Sequence, residues 1–201
     1  MFERIMNLMR RMRLIVEALR PCAKRCRLAG LAALLFLFGT TASRGATALE
    51  MEVKAAYLYN FAKFVEWPAE AFSSDAAPIQ LAVYGDEEFG IKLKSLLADK
   101  KAHGRSFEVK NVSSPQEAKN FHMVFISGPE NRRTSQILEA TRKSPVLTVG
   151  EGEPFLDAGG MISLVLEDAQ LKFEVNPEAA QKVKLEISSK ALRLAKKRSP
   201  K

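Results

Sequence analysis

The stretch PIQLAVYGDEEFGIKLKSLLA, residues 78–98, contains a strand-like run followed directly by a helix-like run. Residues 78–85 are mostly apolar and end in Gly85, which is typical of a short β-strand and the turn after it. Asp86 then begins a helix that we expect to reach about Ala98, because the acidic residues of its first turn favour the positive end of a helix. The stretch therefore predicts one strand–helix unit of an α/β protein.

The same alternation of strands and helices continues along the chain. The predicted segments are a half-buried strand at 107–112, a brief helix from Ser114, a central strand at 123–126, a helix at 130–143 with Ile137 and Leu138 inward, and a strand at 145–149. Strands that alternate with helices favour an α/β sandwich, so we expect a single domain with a mostly parallel central sheet.

The C-terminal part departs from this alternation. Residues 161–166 and 171–175 flank a polar turn and predict a β-hairpin on one side of the sheet. The last predicted elements are a helical turn at 176–178, a strand containing Val183, Leu185 and Ile187, and a helix capped by Ser188 and Ser189.

The first helix of the domain, predicted over residues 50–66, carries most of the aromatic residues of this region. Its helical spacing predicts a core face made of Val53, Tyr57, Asn60, Phe61 and Phe64. Tyr59 lies about 200° round the helix from Tyr57 and should be more exposed. Trp67, just before Pro68, is placed to reach outward, so Tyr59 and Trp67 are candidate partner-binding residues; the alternative is that both are core.

The positive charge of the chain belongs to its N-terminal segment. The chain has 31 Lys and Arg against 23 Asp and Glu, and residues 1–48 contain nine of the basic residues and two of the acidic ones. The remaining 22 basic and 21 acidic residues nearly cancel (31 − 9 and 23 − 2). Bulk charge therefore gives no reason to expect nucleic-acid binding by the domain.

Residues 1–48 have the layout of a signal peptide. A basic flank precedes the apolar run of 11 residues at 28–38, and Ala46-Thr47-Ala48 is a small-residue cleavage pattern. As a helix this run rises only about 16 Å, too short for a hydrocarbon core of about 30 Å. We expect cleavage after Ala48 and a periplasmic domain at 49–201; an uncleaved anchor extending to Ala42 is the alternative. Cys22 and Cys26 would leave with the signal, and the mature chain would have no disulfide.

The sequence contains candidate ligand loops but no catalytic motif. The loops follow predicted strands, where α/β proteins bind ligands, and contain Gly85, Asp86, Ser127, Gly128, Gly150 and Gly152. Each has a plainer interpretation as a turn, a helix start or a flexible loop. No G-x-S-x-G surrounds Ser127, and His103 and His122 are predicted to be surface or edge residues. We therefore predict no enzyme, no cofactor and no metal site, with a hydrolase using Ser127 as a remote alternative.

The C-terminal residues 190–201 contain six basic residues and no acidic one. A solvated tail is the plain interpretation, and contact with anionic lipid or an acidic partner is the alternative. No aromatic residue interrupts the cluster, which argues against a nucleic-acid groove.

The segment VKAAYLYNFAKFVEWP, residues 53–68, resembles the opening signature of the YfiR family of exported bacterial proteins. Further similar blocks follow in order, and the resemblance covers nearly all of residues 51–198. They are LAVYGD at 81–86, VFIS at 124–127, PVLTVG at 145–150, GGMI at 159–162, FEVN at 173–176 and LEISSKAL at 185–192.

This resemblance implies a periplasmic α/β regulatory protein without enzymatic activity. The type member of the family binds the periplasmic part of an inner-membrane diguanylate cyclase and holds it inactive, and an outer-membrane lipoprotein can sequester the regulator. By similarity we expect repression of cyclic di-GMP signalling and hence of biofilm formation. Unlike the type member, the mature chain would have no cysteines, so disulfide control is not expected. A second copy of the chain is a further candidate partner, and the alternative function is a periplasmic small-ligand sensor.

Overall fold

The computed structural model describes residues 41–128 and 132–197. Residues from Leu49 onwards form one compact unit, and the architecture below is that of this unit. Most of the predicted signal sequence, residues 1–40, lies outside the described residues. Within the part of the chain that is described, no helix is both long and apolar enough to cross a membrane.

Most helices and strands follow one another in the alternating order that the sequence predicts, and two short elements, Val65–Glu66 and Pro154–Asp157, are not predicted from it. In chain order the helices and strands are α1 Thr41–Phe64, β1 Val65–Glu66, β2 Ile79–Tyr84, α2 Glu87–Leu97, β3 Phe107–Val112, β4 Met123–Ile126, α3 Arg132–Thr141, β5 Leu147–Glu151, α4 Pro154–Asp157, β6 Ile162–Glu167, β7 Gln170–Val175, α5 Pro177–Gln181, β8 Glu186–Ile187 and α6 Ser189–Leu194. Short 3₁₀ turns lie at Ala69–Ala71 and Ala118–Asn120.

The main sheet has six strands in the order β3-β2-β4-β5-β6-β7. Every neighbouring pair from β3 to β6 is parallel, and only the hairpin strand β7 is antiparallel. The expected fold class, a mostly parallel sheet with a late hairpin and helices at both ends, is therefore confirmed. Since β3 and β4 lie on opposite sides of β2, the strand order reverses between β2 and β4, and this is the topological switch point of the sheet.

Alternate residues of the central strands enter two separate apolar clusters. Leu81 and Phe125 point to the cluster that α1 and α2 cover. Ala82 and Val124 point to the cluster that contains residues of α3 and α4. The sheet is thus covered on both faces, which explains why β4 has no polar residue and is buried at all four positions.

Two helix caps and the hairpin turn have the geometry that their residue types predict. Asn176 and Ser188 cap α5 and α6 by accepting from the Ala179 and Ala191 amides. The hairpin turn consists of Asp168 and Ala169, both with positive φ, as the right-handed twist of the two strands requires.

The predicted core face of the first helix is largely wrong. In residues 48–64, the part of α1 whose burial is described, the buried residues are Ala55, Leu58, Phe61 and Ala62. Of the predicted face only Phe61 is fully buried; Tyr57 and Phe64 are half-buried, and Val53 and Asn60 are exposed. The buried face thus combines two small residues, Ala55 and Ala62, with Leu58 and Phe61, and the Tyr57 and Phe64 rings lie at its margins.

The chain after α1 also differs from prediction, because Val65 and Glu66 are extended and pair antiparallel with Ile187 and Glu186. The strand predicted from Val183 to Ile187 is only β8, since Lys184 has a φ of 61° and breaks the extended backbone. The brief helix predicted from Ser114 is reduced to turns and the 3₁₀ segment that precedes β4.

Candidate functional site

The ends of β2 and β4 lie side by side at the carboxyl edge of the sheet, where the sequence places the candidate ligand loops. The Ser127 amide donates to the Tyr84 carbonyl at 2.9 Å. Gly85 has a φ of 90°, and a Cβ there would lie 2.9 Å from the Ser127 carbonyl oxygen. Gly85 is therefore required by its close approach to the neighbouring loop.

Asp86, the acidic candidate at this edge, is a helix cap. Its Oδ1 accepts from the Phe89 amide at 2.8 Å and so satisfies one of the free N–H groups at the start of α2. The plainer interpretation of this residue, a helix start, is the one that the structure supports.

The carboxylate at the centre of this edge belongs to Glu151, which the sequence reasoning did not select. Its Oε2 accepts from the Gly128 amide at 2.7 Å and from Ser127 Oγ at 3.3 Å. Its Oε1 lies 2.6 Å from Nζ of Lys54 on α1. Three donors from two separate segments, the loop after β4 and α1, therefore converge on one carboxylate. The Lys54 and Glu151 side chains are only 15% and 22% exposed.

Lys54 is held by two carboxylates, since its Nζ also lies 2.7 Å from Oε1 of Glu50. Burial lowers the pKa of the Lys54 ammonium, but its hydrogen bonds to Glu151 and Glu50 outweigh burial, and the pKa is raised above its ordinary value. Lys54 is therefore a permanent cation at physiological pH, and it links α1 to the carboxyl edge.

The glycines next to Glu151 serve packing and turn formation. A Cβ on Gly150 would lie 2.3 Å from the Phe155 ring, and one on Gly160 would lie 2.1 Å from the same ring. Gly152 has a φ of 82° and its carbonyl accepts from Ser163 Oγ. Gly150 is buried beneath an aromatic ring, so this loop is more ordered than the flexible-loop interpretation implies.

Ser127 has a carboxylate neighbour in Glu151, as a hydrolase would require, but that carboxylate also binds the Lys54 ammonium. The carboxylate is already engaged, because it accepts from the Gly128 amide at 2.7 Å and pairs with the Lys54 ammonium at 2.6 Å. His122 precedes β4 and His103 lies shortly before β3, so both are at the opposite, amino edge of the sheet. The arrangement does not favour the hydrolase alternative.

The candidate partner residue Trp67 lies at that amino edge and is half-buried. Its Nε1 donates to the His122 carbonyl at 3.0 Å. The indole meets the rings of Phe72 and His122 edge-on, at centroid distances of 6.4 and 6.5 Å. One end of the indole is thus fixed to the sheet, and the rest of the ring lines the surface.

Phe72 is sandwiched between a cation and an imidazole. Its ring stacks on His122 with a centroid distance of 4.3 Å, and the Arg105 guanidinium lies 3.8 Å from the ring centroid. Arg105 also donates to the Ser74 and Ala77 carbonyls, both at 2.8 Å. Arg105 is thus held both by two backbone carbonyls and by its cation–π contact with Phe72.

His122 is buried, 8% exposed, and precedes β4 directly, so it is an edge residue of the sheet and not a surface residue. Its Nδ1 accepts from the Gln80 amide and its Nε2 lies 3.0 Å from the Ala71 carbonyl, which assigns the proton to Nε2. Burial lowers the pKa of His122, and the nearby Arg105 charge lowers it further, against the raising effect of the Ala71 bond.

A groove of about 330 Å³ opens beside this cluster. It is lined by Glu66, Trp67, Ala69, Phe72, Ile79, His103 and Arg105. Tyr59, the other candidate partner residue, is half-buried near this edge, where its hydroxyl donates to the Lys101 carbonyl at 3.2 Å and its ring meets Phe107 edge-on. We call the groove residues together with Tyr59 and Phe107 the amino-edge aromatic surface. Both candidate residues belong to it, because Phe107 pairs with Ile79 in the sheet.

The basic C-terminal segment is partly docked on the hairpin. The Lys196 amide donates to the Phe173 carbonyl at 2.8 Å, and its Nζ lies 2.8 Å from Glu167 and 3.5 Å from Glu174. Hydrogen bonds from Lys172 and then Lys196 lower the pKa of Glu167 to about 2. Lys196 is therefore engaged within the domain, and Arg198 and Lys201 lie outside the described residues.

A family model described as YfiR/HmsC-like matches residues 51–196. The match covers most of the chain, so the protein belongs to the YfiR/HmsC-like family, and the resemblance seen in the sequence is confirmed.

Among solved structures, the chain is similar to a conserved domain protein from Vibrio cholerae O1 biovar El Tor str. N16961, at 13% identity and a TM-score of 0.44. That match covers 58% of this chain and 53% of the other, so it spans about half of the Vibrio protein's length.

Proposed function

We propose that this protein is a periplasmic regulatory binding protein, and that it represses an inner-membrane diguanylate cyclase by binding the cyclase's periplasmic region. Membership of the YfiR/HmsC-like family supports a regulatory role. The observation that carries the proposal is the amino-edge aromatic surface, where Trp67 and Tyr59 are half-exposed beside an open groove. The protein acts by binding, and its output is a lower cytoplasmic level of cyclic di-GMP.

The amino-edge aromatic surface has the properties of an interface that is formed before the partner arrives. Trp and Tyr are the residues most often responsible for interface binding energy, because they bury a large area and also form a hydrogen bond. Here the Trp67 and Tyr59 side chains are already held by hydrogen bonds to backbone carbonyls. Binding therefore costs little side-chain entropy, and a groove of about 330 Å³ has room for one or two partner side chains.

Repression follows if this surface binds one conformation of the membrane partner more tightly than the others. A ligand shifts a conformational equilibrium only by its difference in affinity for the two states. The regulator must therefore prefer the inactive cyclase. An outer-membrane lipoprotein that binds the same surface would compete with the cyclase and relieve repression.

The test is a deletion strain in which cyclic di-GMP is measured and the gene is restored in variant forms. Deletion should raise cyclic di-GMP, and the wild-type gene should restore the low level. Tyr59→Ala and Trp67→Ala should fail to restore it. Leu166→Ala is a matched control, because Leu166 is 76% exposed and lies on the hairpin strand β6, outside the amino-edge aromatic surface.

Two results would contradict the proposal. An unchanged level of cyclic di-GMP in the deletion strain excludes the cyclase as the target. Full restoration by Trp67→Ala and Tyr59→Ala, at wild-type protein levels, excludes this surface as the contact. Immunoblots of periplasmic extracts separate loss of binding from loss of the protein.

A further inference from the structure

The carboxyl edge is built as a receptor for a carboxylate. The Gly128 amide and the Ser127 hydroxyl, from the loop after β4, and the Lys54 ammonium, from α1, converge on one place. A backbone N–H, a hydroxyl and an ammonium group are the donors that a carboxylate accepts from, and charge-assisted bonds of this kind are the strong ones. The occupant of this place is a side chain of the same chain, Glu151.

The position of these groups is the one where proteins with this sheet order bind external ligands. The ends of β2 and β4 flank the topological switch point, and β5, which ends in Glu151, is the next strand. Gly85 lets the loop after β2 lie against the Ser127 carbonyl, so the backbone around the switch point is closely packed. An internal group therefore occupies the position in which an external ligand would be expected.

We propose that Lys54, Ser127 and Gly128 form a carboxylate-binding site that is occupied by Glu151, and that a small free carboxylate binds there when the Glu151 side chain is removed. Glu151 is tethered beside the site by β5, so its effective concentration is far above that of any dissolved competitor. The wild-type protein therefore excludes small carboxylates, and the bound side chain ties α1 to the ends of β4 and β5.

The test uses Glu151→Ala and measures Tm in sodium acetate and in sodium chloride of equal ionic strength. Removing the side chain takes this acceptor from the Gly128 amide and the Ser127 hydroxyl and leaves Lys54 paired with Glu50 alone, so Tm should fall. Acetate should then raise Tm saturably. At ten times its dissociation constant it stabilises the folded state about elevenfold, which for a domain of this size is a rise of about 3–5 °C.

Three controls make the result specific to this site. Wild type should show a difference below about 1 °C between acetate and chloride, because Glu151 already fills the site. Glu153→Ala removes the exposed glutamate two residues away and should behave as wild type does. Acetamide, which has the size of acetate but no charge, should leave Glu151→Ala unchanged, and Lys54→Met in the Glu151→Ala background should remove the acetate effect.

The Gly128 amide gives a second, local measurement. In ¹⁵N–¹H spectra, acetate should shift the Gly128 resonance of Glu151→Ala back toward its wild-type position. The same melting temperature in acetate and chloride, with a stationary Gly128 resonance, would overturn the proposal. If Glu151→Ala does not fold in chloride, recovery of folded protein in acetate is the readout, and failure to fold in both salts counts against the site. None of these measurements depends on the cyclase, so they remain informative if the proposed function is wrong.

Discussion

The two ends of the parallel sheet differ in how their side chains are engaged. At the carboxyl edge the polar groups satisfy one another, because Glu151 accepts from Ser127 and Gly128 and pairs with Lys54. At the amino edge the Trp67 and Phe72 rings line an open groove of about 330 Å³. Among the described residues, the polar groups at the carboxyl edge are thus engaged with one another, whereas the amino edge presents aromatic surface.

Helix α1 connects these two regions. Lys54 in its middle reaches the carboxyl edge, Tyr59 and the segment after its end reach the amino edge, and Phe61 lies in the core between them. A substitution near Lys54 can therefore affect the carboxyl edge, and one near Tyr59 the amino edge. A substitution of Phe61, in the core between them, can affect both.

The largest effect is expected from Phe61→Ala, which should weaken both edges together. Phe61 is 1% exposed and meets Phe173 edge-on at a centroid distance of 5.1 Å. Its truncation should lower the free energy of unfolding by about 3–5 kcal/mol, as truncation of buried aromatic residues does. Phe64→Ala is the matched control and should cost about 1–2 kcal/mol, since Phe64 is only half-buried beneath the Lys190 ammonium. Urea denaturation measures both, and equal losses would contradict the assignment of Phe61 to the core and Phe64 to its margin.

A smaller effect, confined to the carboxyl edge, is expected from Gly85→Ala. The new Cβ is strained at a φ of 90° and meets the Ser127 carbonyl oxygen at 2.9 Å. We expect the free energy of unfolding, measured by thermal or urea unfolding, to fall by about 2–4 kcal/mol. Gly128→Ala has the same φ, but a Cβ there meets nothing within 4 Å, so the difference between the two variants isolates the contact. A larger loss for Gly128→Ala would show that the loop after β2 is not closely packed.

Trp67→Ala should have an effect confined to the amino edge and lower the free energy of unfolding by about 2 kcal/mol. Trp67→Phe should lower it by about 1 kcal/mol, because it loses only the hydrogen bond to the His122 carbonyl. The sequence alone predicts an outward anchor whose removal leaves the fold largely intact. The contacts with Phe72 and His122 add a moderate cost in stability. Complete unfolding of Trp67→Ala, seen by circular dichroism, would mean that the ring is simply core.

The smallest effect is a pH dependence at the amino edge. The folded-state pKa of His122 is lowered below the ordinary 6.5, so on acidification the unfolded chain binds this proton first. The contribution of neutral His122 to the free energy of unfolding is fully present above about pH 6.5. It is lost as the pH falls from there toward and below the folded-state pKa. Unfolding measured between pH 8 and pH 5 should show this loss in wild type and in His103→Gln. A His122→Gln variant with the same pH slope would refute the assignment.

Much of the fold follows from local signals. The apolar run of β4 indicates a strand covered on both faces, and Asn176 and Ser188 mark the starts of α5 and α6, because such signals act within a few residues. The role of Asp86 at the start of α2 also follows from its position in the sequence. These predictions hold because short-range chemistry and the tertiary structure agree.

The sequence by itself determined the α/β class, the order of the main elements, the hairpin and the family, because periodicity, caps and turns are encoded in neighbouring residues. Only the tertiary structure decided which face of α1 is buried, since Ala55 and Ala62 are buried through contacts with distant parts of the chain. It also decided that Glu151 meets Lys54 and that His122 stacks on Phe72. Residues 97 and 50 positions apart carry no local signal of their contact, and only the packing of the parallel sheet brings them together.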